Sequence, residues 1–178
     1  ALIDEDDGVV SLAAANVIGN NDVTITIQLL EADRVKALAF SSTPSLYADA
    51  VHGILMVRAG ALHDVAINYN AINQSLTLIE EPDVIIPAIF YATVNFSTGV
   101  FEIYISETVD LTPATRVDFG KMHVNNITGS KETNLGGAKL LSTTDGTSFS
   151  FKITEKQRVA SIEFSATPGG DQGMPISL

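Results

Sequence analysis

A stretch of the chain occurs twice. Residues 24–44 align without gaps on residues 148–168, with Thr24 on Ser148, an offset of 124 residues. Seven positions are identical: Glu31/Glu155, Arg34/Arg158, Val35/Val159, Phe40/Phe164, Ser41/Ser165, Thr43/Thr167 and Pro44/Pro168. Upstream, Leu12 to Asp22 aligns on Leu135 to Asp145 at an offset of 123. A repeat of this length fits one β-sandwich domain per period, so the chain carries parts of two copies of one unit.

The local pattern inside the repeat is that of strands. Val23-Thr24-Ile25-Thr26-Ile27 and Phe149-Ser150-Phe151 alternate apolar and hydroxyl residues, the period of a half-buried strand. Ile54 to Arg58 and Leu76 to Ile79 are further strand candidates. Phe90 to Val94 and Val100 to Ile105 flank Asn95-Phe96-Ser97-Thr98-Gly99 and read as a hairpin. In it Phe101, Ile103 and Ile105 share one face, with Glu102 and Tyr104 on the other. Leu30 to Ala39 and Thr154 to Glu163 read instead as short helices, with Val35 and Leu38, and Val159 and Ile162, spaced to face inward. Thr154 with Gln157 predicts a capping box, and Leu30 leaves the first helix without one. Glu31 with Arg34, and Glu155 with Arg158, predict i,i+3 ion pairs. The fold class expected is all-β: tandem Ig-like β-sandwich units, each with one short helix after a core strand.

Acidic residues and two prolines at Glu80-Glu81-Pro82-Asp83-Val84-Ile85-Ile86-Pro87 place the boundary. The expected organisation is 1–83 as the C-terminal part of one repeat, 84–87 as a linker and 88–178 as the N-terminal part of the next. The chain begins at Ala1, so either a leader has been removed or the sequence is part of something longer. On the 124-residue offset both ends fall inside a repeat. Two explanations stand: a fragment of a longer tandem array, or a subunit whose partial units neighbours complete. In the second case the ends are the assembly strands. Ala1, Leu2 and Ile3 are apolar before an acidic run, and Met174, Ile176 and Leu178 alternate at the other end. Trimming 173–178 is then expected to abolish polymerisation.

Composition narrows the function classes. Ten Lys and Arg against 21 Asp and Glu give a net charge of −11, which disfavours nucleic acid and anionic membranes as partners. Residues 1–86 hold 12 acids and 3 bases, residues 87–178 hold 9 and 7, so a polarised surface is expected. No apolar run reaches the ~18 residues of a membrane-spanning helix. With no Cys there is no disulfide and no thiolate site. His52, His63 and His123 are scattered, and no nucleophile elbow, P-loop or dinucleotide fingerprint occurs, so no enzyme is expected.

Asp4-Glu5-Asp6-Asp7-Gly8 is the densest acid and the candidate Ca²⁺ site, through Asp4, Glu5, Asp6 and Asp7; a solvated turn is the favoured competing reading. No other cofactor is implied. Asn73, Asn95 and Asn126 each open an N-glycosylation triplet, at a density that chance also produces.

Thr98-Gly99-Val100-Phe101-Glu102-Ile103-Tyr104-Ile105-Ser106-Glu107, then Val117-Asp118-Phe119-Gly120-Lys121-Met122-His123-Val124, Thr143-Thr144-Asp145-Gly146-Thr147 and Ile153-Thr154-Glu155-Lys156-Gln157-Arg158 resemble the tandem Ig-like repeat of large archaeal cell-surface and S-layer proteins, most closely those of ammonia-oxidising archaea. The resemblance covers most of 90–168 and, more weakly, 11–83. Ala59-Gly60-Ala61-Leu62-His63-Asp64 departs from it, continuing into Val65-Ala66-Ile67-Asn68 where many members have Thr-Ser-Gly-Asn. What the resemblance implies is an exported, extracellular structural module of a surface lattice or filament, partnered by copies of itself or by neighbouring repeats. The rival from another class is an adhesion or ligand-binding module; a third is a noncatalytic domain of a secreted enzyme.

Overall fold

The computed structural model describes residues 2–3, 9–19, 23–43, 52–126, 130–165, 167–168, 170 and 176–177. Strands in small antiparallel sheets make up 35% of the chain and helix 16%, a β-rich fold. The chain separates into two compact units, Ala1–Ile85 and Ile86–Leu178.

In the first unit, β1 (Leu2–Ile3), β2 (Val9–Val10), β5 (Ile54–Val57) and β6 (Gln74–Thr77) form a sheet in the order β2-β1-β5-β6. A separate hairpin joins β3 (Asn16–Ile18) to β4 (Thr26–Gln28), and helix α1 (Glu31–Leu38) follows it. In the second unit, β7 (Ile89–Asn95), β8 (Val100–Val109), β11 (Lys139–Leu140) and β12 (Gly146–Lys152) form a sheet in the order β11-β12-β8-β7. A second sheet runs β10-β9-β13, from β9 (His123–Asn126), β10 (Glu132–Asn134) and β13 (Ile176–Ser177), and helix α2 (Glu155–Phe164) follows β12.

The β7–β8 hairpin forms where the alternation places it. Asn95 Oδ1 accepts from the Ser97 and Thr98 amides at 2.9 and 3.3 Å, and Gly99 closes the turn at φ +70°. That conformation strains any residue with a Cβ. Beyond the turn Phe101, Ile103 and Ile105 are buried on one face of β8. They meet Phe149 and Phe151 of β12, with Leu111, Phe119, Val124, Leu135, Ile153 and Phe164 completing one core. Phe151 sits at its centre, ring centroids 5.3 Å from Phe101 and 4.9 Å from Phe119. On the outer face Tyr91 stacks on Tyr104 at 4.4 Å.

The helices end close to their expected limits. The capping box on α2 is formed: Gln157 N donates to Thr154 Oγ1 at 3.3 Å, and Thr154 N to Gln157 Oε1 at 2.8 Å. Leu30 gives α1 no side-chain cap. The inward face of α2 differs from the expectation. Val159 is exposed and Ile162 only half-buried, whereas Gln157, Ser161 and Phe164 are buried. Gln157 is drawn in because its Nε2 donates to the Asn134 and Gly136 carbonyls at 2.9 and 2.8 Å. These two hydrogen bonds tie α2 to the end of β10, and that fixes the helix rotation.

Ser161 is wholly buried and its Oγ has no hydrogen-bond partner among the described residues. The same repeat position in α1 holds Ala37. A buried unpaired hydroxyl costs its desolvation, so Ser161→Ala is expected to stabilise the second unit by about 1 kcal/mol, read from urea unfolding.

The first unit has far less core. Among the described residues its one buried hydrophobic is Val10. No residue of α1 is buried.

Candidate functional site

The repeated hairpin has the same register in both units. Asn16 pairs with Gln28 and Val17 with Ile27; the equivalent positions Lys139 and Lys152, and Leu140 and Phe151, pair identically. The neighbouring sheet repeats too. Leu2 pairs with Val10 and Ile3 with Val9, as Val124 pairs with Thr133 and Asn125 with Glu132. Ile3 also pairs with Ile54, as Asn125 does with Ser177. So β2-β1-β5 matches β10-β9-β13, and β3-β4 matches β11-β12. Two strands of backbone pairing this similar require that the residues at offsets of 122 to 124 occupy equivalent places.

The copies differ in what lies on the hairpin. In the second unit, β12 pairs along its outer side with β8, with Phe151 opposite Phe101, Phe149 opposite Ile103 and Lys152 opposite Val100. In the first unit β4 has β3 as its strand partner among the described residues. The consequence appears in burial. Phe149 and Phe151 are 5% and 0% exposed, while their equivalents Ile25 and Ile27 are 50% and 43% exposed. Ile27 lies in β4 and Ile25 immediately before it.

The helix arginines mark the same difference. Both ion pairs form: Arg34 Nε to Glu31 Oε2 and Arg158 Nε to Glu155 Oε2, each at 2.8 Å. The Glu31 carboxylate raises the Arg34 pKa and Arg158 lowers that of Glu155. Arg158 then donates through Nη1 to the Phe96 carbonyl in the β7–β8 turn at 2.9 Å, tying α2 to that hairpin. Arg34 donates through Nη1 to Asp83 at 2.6 Å.

The turn after each helix is likewise repeated. Ser41 and Thr43 share a hydroxyl contact of 2.7 Å, and Ser165 and Thr167 one of 2.6 Å. In the first unit this turn holds Glu80. Its carboxylate accepts from Ser42 Oγ at 2.6 Å, Ser42 N at 2.7 Å, Gly53 N at 2.8 Å and Ser41 Oγ at 3.2 Å. Burial alone pushes this carboxyl up; the hydrogen bonds from Ser42, Gly53 and Ser41 outweigh it and bring the pKa down to about 2. In the second unit Ser165 Oγ donates to the Ile162 carbonyl at 2.8 Å instead. In the sequence Glu80 is one of several acids at the repeat boundary, and its donors Ser42 and Gly53 lie 38 and 27 residues away.

The end segments proposed as assembly strands are placed differently from that expectation. Leu2 and Ile3 pair with β2 and β5 of their own unit, and Ile176 pairs with Asn126 of β9. The described part of both ends is therefore occupied within the chain, because each supplies a strand of the repeated sheet. Ala1, Met174 and Leu178 lie outside the described residues, as do Asp4, Glu5, Asp6 and Asp7 of the candidate Ca²⁺ site. Among the described residues no three of His, Asp and Glu converge as metal ligands, and no described helix is long and apolar enough to cross a membrane.

The sequons fall in different settings. Asn95 is exposed in the β7–β8 turn, and Asn73 is exposed with its Oδ1 accepting from Ala59 N at 2.9 Å. Asn126 is buried, and its Nδ2, the atom a glycan would take, donates to Ser130 Oγ at 3.0 Å. A glycan at Asn126 requires loss of that contact, so occupancy by mass spectrometry of glycopeptides is expected at Asn73 and Asn95 before Asn126 in material from a glycosylating host.

Comparison with known protein families, curated proteins and solved structures finds no match.

Proposed function

We propose that the chain is a noncatalytic structural protein of the cell exterior, a building block of a surface lattice or filament assembled through contacts between tandem Ig-like sandwiches. The observation that carries this reading is the structural repeat: β2-β1-β5 and β3-β4 of the first unit have the backbone register of β10-β9-β13 and β11-β12 of the second. Tandem copies of one module suit a protein that works through repeated contacts. The paired sheets support the sandwich. Taken over both copies, the repeat comprises β11-β12-β8-β7 and β2-β1-β5-β6, two four-stranded antiparallel sheets. The motif resemblance to archaeal S-layer repeats agrees in kind.

Electron microscopy of native material tests this. A regular lattice or filament is the expected result. A dispersed monomer that retains a glycan or cell-surface ligand contradicts it and supports the adhesion reading.

A further inference from the structure

We infer that Lys139, Lys152 and Lys156 form a docking surface on the second unit, and that its occupant is the acidic first unit of a second copy of the chain, entering with Glu81. The inference rests on the assembly reading above and specifies a joint between copies.

The repeat shows that the fold does not require these lysines. Lys139 lies directly opposite Lys152 in the β11–β12 pair. In the β3–β4 pair of the first unit the same two places hold Asn16 and Gln28, also opposite one another. Lys156 falls in the first turn of α2, where α1 has Ala32. Gln157, the next residue, donates through Nε2 to the Gly136 carbonyl at 2.8 Å, which sets the start of α2 beside the segment leading into β11. All three lysines are exposed. Each stands where local electrostatics opposes it. Like charges directly opposite across a strand pair repel, and a cation in the first turn of a helix meets the positive end of its dipole. Among the described residues none of the three has a carboxylate within 4.0 Å, whereas Arg34, Lys36, Arg116, Lys121 and Arg158 each do. An anionic surface brought by a partner relieves all three costs at once.

Charge names the occupant. Residues 87–178 hold 9 acids and 7 bases, while residues 1–86 hold 12 and 3. Two of those three bases are engaged within their own unit, Arg34 by Glu31 and Asp83 and Lys36 by Asp33. Glu81 is exposed between Glu80 and Asp83, with no ion-pair partner among the described residues. The two surfaces are unlike and complementary, so the contact is head-to-tail and propagates from copy to copy.

Sedimentation velocity of the full chain tests the joint. Lys139→Asn with Lys152→Gln and Lys156→Ala gives the second unit the residues that the first has at these places. This variant is expected to weaken self-association about tenfold or more, since several charge pairs are lost together. Lys36→Gln with Arg58→Gln and Lys121→Gln removes the same charge elsewhere and is expected not to weaken it. Glu81→Lys weakens it from the other side. Mixing the lysine variant with the Glu81→Lys variant is then expected to restore a complex of one copy of each, because each retains the surface that the other lacks. Four results overturn the joint: wild-type association of the lysine variant, an equal loss in the charge-matched variant, no complex in the mixture, or a wild-type chain that stays monomeric at high concentration. Failure of the assembly reading is separate and is decided on native material: an ordered array that forms equally without the three lysines leaves assembly standing and removes this joint.

Discussion

Phe151→Ala destabilises the second unit by about 4 kcal/mol, and Ile27→Ala, at the same repeat position, changes the first by less than about 0.5 kcal/mol. Phe151 has no exposed surface and lies between Phe101 and Phe119. Its removal loses the transfer free energy of a large aromatic ring and leaves a cavity that three elements border. Ile27 is 43% exposed, so truncation removes few contacts and opens no cavity. Amide hydrogen exchange resolves the two units separately and checks both values in one chain. The asymmetry is the informative quantity. Equal costs at the two positions would mean that β4 is covered in the free chain as β12 is.

Glu80→Ala costs the first unit about 3 kcal/mol at neutral pH, since it removes an ionised acceptor and leaves the donors of Ser42 and Gly53 without it. The carboxylate side chain is 11% exposed, and its four contacts join the turn after α1 to the start of β5. Its folded-state pKa is about 2, below the ordinary 4.5. The sign follows from linkage: the ionised form is favoured in the folded state, so its contribution is fully present above pH ~4.5 and is lost as pH falls toward 2. Urea midpoints of wild type and Glu80→Ala are therefore expected to converge between pH 4.5 and 2. A gap that stays constant across this range would mean that the carboxylate charge contributes nothing. Glu80→Gln, which keeps one acceptor oxygen, should fall between the two at neutral pH.

Local features of this fold are legible in the sequence, and non-local ones are not. The limits of α1 and α2, the capping box of Thr154 and Gln157, the two ion pairs and the β7–β8 turn depend on residues within five positions of one another. Strand faces are legible for the same reason: the alternation in Val100–Ile105 specifies which side chains go together. What alternation does not encode is whether anything covers that face. Val23–Ile27 and Phe149–Phe151 carry the same pattern, yet one pair of apolar residues is exposed and the other is the centre of a core. The cover of β12 comes from β8, about 50 residues away in the chain. The rotation of α2 escapes a count of apolar letters because a glutamine, through two carbonyls of a distant turn, decides it. Glu80 escapes because its ligands lie 27 to 39 residues away. The end segments Leu2–Ile3 and Ile176–Ser177 look like free assembly strands in sequence, since their partners β5 and β9 are each about 50 residues distant.

Assembly through repeated sandwich units is the central claim, and electron microscopy of native material tests it most directly. A regular lattice or filament with a constant subunit spacing is the predicted result. Material that stays a dispersed monomer would contradict the account.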